Sequence, residues 1–254
     1  MIYSYSSIST FKQCPYKFKL RYLDKIIPEV KQTIEAFMGG IVHELLQELY
    51  DNIKKGKLLP FSELQKKLMD KWKTQWDNEI LIVKEGMNKE NYFESALKFL
   101  KNYYNTYQPF NQGEILGVEE EVRIDLSGKE LIGYIDRLEK KGEEYHIIDY
   151  KTSNWLKSQE ELDEDKQLAL YQIAVMEKYK TDKVVLNWHF LNFNELLQSK
   201  RTIKQIDQLK IELLKTINEI EDSKAYKACK SRLCDWCEYK KQCPEFMTTL
   251  NKFI

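Results

Sequence analysis

Apolar side chains in the first part of the chain recur at the three- and four-residue spacing of amphipathic helices. Ser6 or Ser7 is a suitable N-cap for a short first helix, and Pro15 is suited to begin the next one. Gly56 is typical of the residue that closes a helix. The pattern predicts that residues 30–110 are mainly helical. Helices are predicted at residues 16–23, 37–55, 62–78 and 92–107.

The pattern changes at Ile115, where apolar and charged residues begin to alternate singly, as they do along a half-buried strand. The charged stretch Lys140-Lys141-Gly142-Glu143 separates two later strand patterns and predicts a hairpin turn. The mixture of element types over residues 115–222 predicts an α/β core, within a single domain of 254 residues. Strands are predicted at 115–125, 131–139, 144–151, 183–193 and within 195–203, and helices at 160–179 and 206–220.

The predicted hairpin carries two acids and a lysine. Side chains alternate along a strand, so Asp149 and Lys151 share one face with Tyr145 and Ile147, and Asp136 comes from the neighbouring strand. Charged groups on a mostly apolar sheet are costly to bury unless they pair or bind something. Two carboxylates beside an ammonium are suited to hold a divalent metal ion and a water molecule for phosphodiester hydrolysis. The alternative is an ordinary Asp–Lys pair on a surface hairpin.

Composition and charge exclude few classes of protein function. Lys+Arg and Asp+Glu each total 40, so the net charge of zero gives no support to a DNA partner, although a local basic groove would suffice. No apolar run approaches the roughly 18 residues of a membrane span, and the polar N-terminal residues do not resemble a signal peptide. We therefore expect a cytoplasmic protein without a membrane partner. No P-loop motif is visible, so the sequence shows no ATP-driven motor.

Cysteines are concentrated near the C-terminus. Cys234 and Cys237 form a C-x2-C pair, and Cys243 follows. Such a pair places two thiolates on one metal centre. Cys14 and Cys229 compete as the fourth ligand. Local closure through Cys229 would give a zinc knuckle, whereas closure through Cys14 would tie the two ends of the chain together, which is worth roughly 5 kcal/mol on the loop-entropy scale. Four thiolates suit either zinc or an iron–sulfur cluster.

Five motifs, taken in order, resemble the PD-(D/E)XK nucleases of the RecB-like branch, which includes the nuclease domains of RecB and AddB and CRISPR-associated exonucleases with an iron–sulfur cluster. The resemblance covers nearly the whole chain. Its motifs are the N-terminal segment 6–18 with Cys14, Gly39-Gly-Ile-Val-His43, Gly133-Tyr-Ile-Asp136 with Asp149-Tyr-Lys151, Gln167 to Gln172, and the triad Cys234, Cys237 and Cys243.

The resemblance implies a fold as well as a site. The expected fold is an α/β, restriction-endonuclease-like core in which helices flank a central mixed sheet. A helical N-terminal insertion and a cysteine-cluster clasp joining the N- and C-termini complete it. The cluster would be 4Fe-4S, with zinc as the alternative, and its ligands would be Cys14, Cys234, Cys237 and Cys243, which leaves Cys229 outside the pattern.

The resemblance also implies roles around a Mg²⁺ or Mn²⁺ ion. Asp136, Asp149 and the backbone carbonyl of Tyr150 would bind the ion, and His43 would add an imidazole ligand. Lys151 would orient or help to deprotonate the attacking water and offset charge at the phosphate. Two further residues, Gln167 and Tyr171, lie one helical turn apart and would position the phosphate or the lysine. A role for Glu119 and Glu121 at the metal is not favoured.

The leading functional hypothesis is therefore a metal-dependent DNA nuclease. Exonuclease action on single strands or DNA ends is favoured, in repair, recombination or the processing of CRISPR or phage DNA. A helicase or a CRISPR adaptation protein is a candidate partner. The alternatives are a catalytically silent DNA-binding or scaffold subunit of a helicase–nuclease complex, and a zinc-dependent interaction module that uses Cys229 as a ligand.

Overall fold

The computed structural model describes residues 1–28 and 30–247. The N-terminal part is mainly helical, as the apolar spacing predicts, and two-residue strands β1 (Gln32–Thr33) and β2 (Ile80–Leu81) pair within it. A π-helical turn at Lys19–Leu23 continues the second helix. The helices of this part are α1 (Tyr5–Gln13), α2 (Pro15–Phe18), α3 (Ile34–Lys54), α4 (Phe61–Gln75) and α5 (Lys89–Tyr107).

The central sheet has five strands in the order β3-β4-β5-β6-β7. Only β5 and β6 run parallel, and the other neighbours are antiparallel, so the sheet is mixed. The strands are β3 (Glu114–Leu126), β4 (Lys129–Lys141), β5 (Glu144–Lys151), β6 (Val184–Phe190) and β7 (Glu195–Ser199). This arrangement confirms the predicted α/β core with a central mixed sheet flanked by helices. The remaining helices are α6 (Gln159–Asp163), α7 (Gln167–Tyr179), α8 (Ile203–Asp222) and α9 (Pro244–Met247).

Helices cover both faces of the sheet, which divides the apolar interior into two clusters. One cluster joins one face to α1, α7 and α8, and the other joins the opposite face to α3, α4 and α5. Within β5, Ile147 belongs to the first cluster while Ile148 and Tyr150 belong to the second. This division follows the strand alternation and gives β5 one face in each half of the core.

Two predicted element boundaries are wrong. The N-cap of α1 is Ser4, because its hydroxyl accepts the N–H of Ser7 at 3.1 Å while the Ser7 hydroxyl accepts the N–H of Ser4 at 2.9 Å. The single helix predicted over 160–179 is two helices, with a break at residues 164–166. Arg201 stabilises the break by donating hydrogen bonds to the carbonyls of Leu162 and Asp165. The polar run Asp163-Glu164-Asp165-Lys166-Gln167 interrupts the apolar spacing at this point, and the prediction of a single helix did not take it into account.

The two ends of the described chain pack against each other. The Tyr16 N–H donates to the Lys227 carbonyl at 3.2 Å, and Lys17 forms an ion pair with Glu238 at 2.8 Å. The hydroxyl of buried Tyr239 donates to the Ile26 carbonyl at 3.1 Å. These contacts bring the segment after Cys14 beside the C-terminal cysteines. None of the helices described is both apolar enough and long enough to span a bilayer.

Candidate active site

The site begins where strands β4 and β5 separate. Their pairing ends with Arg137 opposite Ile148. Beyond that point a side chain replaces the backbone pairing: the Oδ2 of Asp136 accepts the N–H of Tyr150 at 2.7 Å. Asp136 therefore lies beside the second half of the hairpin motif, and the gap between the strands leaves room for other groups.

Asp149 and Lys151 lie on one face of β5, as strand alternation predicts. The Lys151 Nζ is 2.7 Å from the Asp149 Oδ2. Burial raises the pKa of Asp149 to about 6; Lys151 opposes this rise and the nearby Asp136 adds to it. Burial alone would lower the pKa of Lys151, but the Asp149 carboxylate outweighs it and the pKa is raised. Lys151 is therefore an ammonium at neutral pH.

His43 reaches the same place from α3. Its Nε2 lies 2.9 Å from the Tyr150 carbonyl oxygen, and its Nδ1 lies 3.4 Å from the Asp136 Oδ2. Burial disfavours the charged imidazole, but the Asp136 and Asp149 carboxylates outweigh it and raise the pKa of His43 to about 9. Without a metal ion, a proton on His43 offsets the acidic charge of the site at neutral pH.

Glu119 is the site residue that the sequence analysis did not favour. The β3–β4 register passes from Val118 opposite Arg137 to Glu120 opposite Ile135, which leaves Glu119 between the paired positions. Its φ of 46° lies in the left-handed region, which is strained for a residue with a side chain. Glutamate at this position offers a carboxylate oxygen within 4.8 Å of ligand atoms of His43 and Asp136. Burial, with Asp136 adding to it, raises the pKa of Glu119.

Helix α7 brings Gln167 and Tyr171 to the lysine. Lys151 Nζ donates to Gln167 Oε1 at 3.5 Å, and Gln167 Nε2 donates to the Tyr171 hydroxyl at 3.4 Å. Asp165, in the break before α7, accepts the N–H of Gln167 at 3.0 Å and so fixes the start of the helix. A Cβ on Gly133 would lie 2.2 Å from the Tyr171 ring, so only glycine permits this close approach.

Several of these residues, His43, Asp136, Asp149, Lys151 and Gln167, border one cavity of about 760 Å³, whereas Glu119 and Tyr171 are not among its lining residues. Its walls come from the start of α3, the ends of β4 and β5, the loop after β5 and the C-terminal cysteine segment. The cysteine segment contributes Leu233 and Trp236. A more open depression of about 820 Å³ around Tyr145 and Tyr179 contains none of the predicted site residues. The predicted catalytic and metal-binding residues, apart from Tyr171, therefore lie around the cavity at the end of β5, although the depression is slightly larger.

The donor set fits a divalent metal ion. In the part of the chain that the structure describes, His43, Glu119 and Asp136 are the one group of three or more His, Cys, Asp or Glu side chains whose ligand atoms all lie within 4.8 Å of one another. Neighbouring ligands of an octahedral ion, each roughly 2.0–2.1 Å from it, are about 2.9 Å apart. The His43 Nε2 and the Tyr150 carbonyl oxygen have this separation as a hydrogen bond, and both atoms would be free to bind an ion once the imidazole loses that proton. Carboxylate and carbonyl oxygens with one imidazole suit Mg²⁺ or Mn²⁺.

The cysteines line a second cavity of about 230 Å³. Burial is the main cause that raises the pKa values of Cys237 and Cys243; the thiol of Cys234 adds to both shifts, and Cys14 adds to that of Cys243. Cys229 is exposed. The sulfurs of a single tetrahedral zinc ion would be about 3.8 Å apart, and no three cysteines among residues 1–28 and 30–247 come within 4.8 Å of one another.

The comparisons with known proteins agree with this geometry. The model of the PD-(D/E)XK nuclease superfamily matches residues 2–244. A crystal structure named "Putative exonuclease", from Eubacterium rectale, aligns with 100% of this chain and 94% of its own at a TM-score of 0.53 and 11% sequence identity, which indicates a similar fold. The structure of SSO0001 covers 62% of this chain and 78% of its own at 16% identity, but its TM-score of 0.35 is too low to indicate a common fold. No curated protein matches the chain.

Proposed function

Since the chain belongs to the PD-(D/E)XK nuclease superfamily, we propose that it is a Mg²⁺- or Mn²⁺-dependent DNA nuclease, and an exonuclease acting on single strands or DNA ends. The observation that carries the proposal is the cavity in which His43 and Asp136 adjoin the Asp149–Lys151 pair, with a Glu119 carboxylate oxygen within 4.8 Å of ligand atoms of the first two. DNA repair, recombination and CRISPR or phage DNA processing are the settings in which such an enzyme would act. A helicase would be the natural partner where the substrate is duplex, because the sequence carries no P-loop.

Some side chains of the site would bind the metal ion, and others would act on the phosphate. His43, Glu119, Asp136 and the Tyr150 carbonyl would hold the ion. When bound, it would polarise the phosphate and lower the pKa of a water molecule. Asp149 has two carboxylate oxygens, so it can pair with Lys151 and still contribute to the ion site.

Lys151 would act at the phosphate. Its raised pKa keeps it protonated, so it would donate hydrogen bonds to the attacking water and offset charge that develops on the phosphate. Gln167 accepts from the Lys151 ammonium and is itself bonded to the Tyr171 hydroxyl, which restricts the lysine to this side of the cavity.

The first test is cleavage of end-labelled DNA by the purified protein. We expect products from single-stranded DNA with Mg²⁺ or Mn²⁺ and none with a chelator. The same strand is labelled at its 5′ end in one reaction and at its 3′ end in another. Short labelled products that appear first with one of the two labels indicate exonuclease action, and that label gives its polarity. Absence of metal-dependent cleavage on single strands, duplexes and overhanging ends would contradict the nuclease assignment and favour a silent DNA-binding subunit.

Metal binding is expected to release protons, because the ligands are protonated in the free protein. The pKa of His43 is about 9, so at about pH 7.5 binding should displace about one proton per ion. Affinity should therefore rise as pH increases toward 9, and it should fall further below pH 6, where Asp149 takes up its proton. Calorimetric titration with Mn²⁺ in two buffers of different ionisation enthalpy measures the release.

His43→Asn is the matched control for this titration, since asparagine has no proton to lose. We expect weaker binding and no proton release from this variant near neutral pH. An affinity for Mn²⁺ in the native protein that is independent of pH between 6 and 9 would show that His43 and Asp149 are not coupled to the ion.

The cysteine cavity is proposed to hold a 4Fe-4S cluster through Cys14, Cys234, Cys237 and Cys243. The proximity of the four thiols supports a shared site: they line one cavity, which Cys229 also borders, and both Cys14 and Cys234 add to the raised pKa of Cys243. The exposed position of Cys229 argues against the local zinc knuckle that would use it. Such a cluster would join the two chain ends that already meet through Lys17 and Glu238.

Cys14→Ser and Cys229→Ser are a matched pair for this ligand assignment. Cys14→Ser is expected to lower both the iron and sulfide content and the free energy of unfolding, by up to roughly 5 kcal/mol, the cross-link value for so long a loop. Cys229→Ser should leave both unchanged. Chemical analysis of anaerobically purified protein and denaturant titration measure the effects, and equal damage from the two substitutions would overturn the choice of Cys14.

A further inference from the structure

Two tryptophans border the catalytic cavity and remain exposed. The exposed fraction is 66% for Trp155 and 37% for Trp236, whereas Trp72 and Trp188 are buried in the core at 4% and 0%. An indole is among the largest apolar groups a protein has, and leaving two of them open to water around one cavity forgoes favourable burial. Neither is needed to fill the core.

The two indoles reach the cavity from unrelated parts of the chain. Trp155 lies in the loop that directly follows β5 and the Asp149–Lys151 pair, and the Ser153 hydroxyl donates to its carbonyl at 2.9 Å. Trp236 ends a 3-10 helix, Arg232–Trp236, between two of the cysteines. The cavity that contains the catalytic groups thus has an aromatic side chain from each of two separate walls.

The same cavity also has a cation that has no partner among residues 1–28 and 30–247. Lys84 lines the cavity, and its ammonium makes no hydrogen bond or ion pair with any residue that the structure describes. Glu35, a carboxylate on the wall, accepts a hydrogen bond from the Tyr92 hydroxyl at 2.6 Å. An unpaired ammonium near two open aromatic faces matches a ligand that carries both negative charge and flat rings, which describes a nucleic acid strand.

We propose that Trp155 and Trp236 stack on unpaired bases while Lys84 contacts the phosphates, so that the cavity accepts single-stranded DNA and excludes intact duplex. In a duplex both faces of each base are covered by its neighbours, and an indole can stack only on a base that has left the stack. A volume of about 760 Å³ lies within the range of roughly 300–1,000 Å³ that holds small ligands, so the cavity suits a short length of one strand. The proposal rests on the proposed function and names the residues that would select a single strand as its substrate.

The test compares three labelled DNA ligands of equal length: a single strand, the same strand with abasic sites in place of its bases, and a blunt duplex. Binding is measured by fluorescence anisotropy with Mg²⁺ in a Lys151→Ala background, so that cleavage does not interfere. Trp155→Ala and Trp236→Ala are each expected to weaken binding of the normal strand by roughly 5- to 150-fold, the loss per stacked base. Binding of the abasic strand should not change.

Two further variants make the result specific. Trp155→Phe keeps an aromatic face and should recover most of the affinity that Trp155→Ala loses. Phe193→Ala removes an aromatic side chain of similar exposure, 39%, that does not border the cavity, and it should bind all three ligands as the parent does. Both tryptophans are exposed, so their removal is not expected to unfold the protein.

Three outcomes would overturn the proposal. In the first, the double variant Trp155→Ala with Trp236→Ala binds the normal strand as tightly as the parent does. In the second, the double variant loses as much affinity for the abasic strand as it loses for the normal strand. In the third, the parent binds the duplex more tightly than the single strand. After any of these outcomes, contact with a protein partner would be the alternative role for the exposed indoles. A protein that binds single strands through its tryptophans but cleaves no DNA would instead overturn the nuclease assignment alone.

Discussion

Lys151→Ala is expected to reduce the rate of DNA cleavage by on the order of 10²- to 10³-fold, the range seen when one preorganised donor is removed from a transition state. The reason is its position: the ammonium lies 2.7 Å from Asp149, is half-buried beside the group that would hold the ion, and is kept protonated by its neighbours. Single-turnover cleavage of a saturating single-stranded substrate measures the effect on the chemical step.

The fold should survive this substitution. Removing the lysine leaves the Asp149 carboxylate buried without its partner, but the pKa of Asp149 is already about 6 and would rise further, so the group can take up a proton and become neutral. A loss of activity with little loss of stability is the expected signature.

Lys129→Ala is the matched control, because Lys129 forms an ion pair of 2.5 Å with Glu221 away from the cavity. It should cleave at the native rate. If Lys151→Ala also cleaved at close to the native rate, the cavity at the end of β5 would not be the catalytic centre.

Strand periodicity predicted the hairpin part of this site well. Alternation alone places Asp149 and Lys151 on one face of β5, and the glycine in the charged connection predicts the turn, where Gly142 has a φ of 59°. Periodicity gave no sign of His43, because a single histidine on an amphipathic helix leaves no pattern. Its inclusion depended on the family resemblance.

Glu119 was considered as a metal ligand but not favoured, and alternation places it with the charged residues of β3. Its left-handed backbone breaks the alternation, and nothing in a run of three glutamates reports which of them will turn inward. A register argument would have helped: once β3 and β4 pair as antiparallel neighbours, Glu119 falls opposite Asp136, between two observed pairs. That register depends on tertiary packing, which a single sequence does not display.

Contacts distant in sequence account for the other differences. The break before α7 is stabilised by Arg201, which follows β7, and its consequence is functional because it sets Gln167 at the first turn of the helix. The return of Leu233 and Trp236 to the catalytic cavity is invisible in a linear pattern. Sequence patterns therefore predicted the elements and the hairpin chemistry, while the remaining walls of the site depend on tertiary contacts.

Arg137→Ala is expected to lower the free energy of unfolding by about 3 kcal/mol, the low end of the cost of breaking a buried ion pair, because Lys141 still lies 3.3 Å from Glu139. The Arg137 Nε lies 3.0 Å from Glu139, and both side chains are almost fully buried. The guanidinium also donates to the Tyr103 hydroxyl and lies 4.0 Å from the centre of the Tyr50 ring. Denaturant titration of the native and variant proteins measures the difference.

Arg123→Ala is the matched control for this loss. Arg123 also pairs with carboxylates, those of Glu121 and Glu130, but its side chain is 55% exposed. Water screens such pairs, so we expect its removal to change stability by at most about 1 kcal/mol. Equal effects of the two substitutions would show that the buried cluster is not a special source of stability.

The effect of Arg137→Ala should extend to the metal site under conditions where the variant is still folded. Arg137 directly follows Asp136, and the Tyr150 ring, whose hydroxyl is 3.2 Å from that of Tyr103, belongs to the same buried cluster. The cluster on one side of the hairpin thus fixes the backbone from which Asp136 and the Tyr150 carbonyl face the cavity on the other. We expect weaker Mn²⁺ binding by calorimetry in Arg137→Ala and unchanged binding in Arg123→Ala. Native affinity in a destabilised Arg137→Ala would show that the site holds its shape without the cluster.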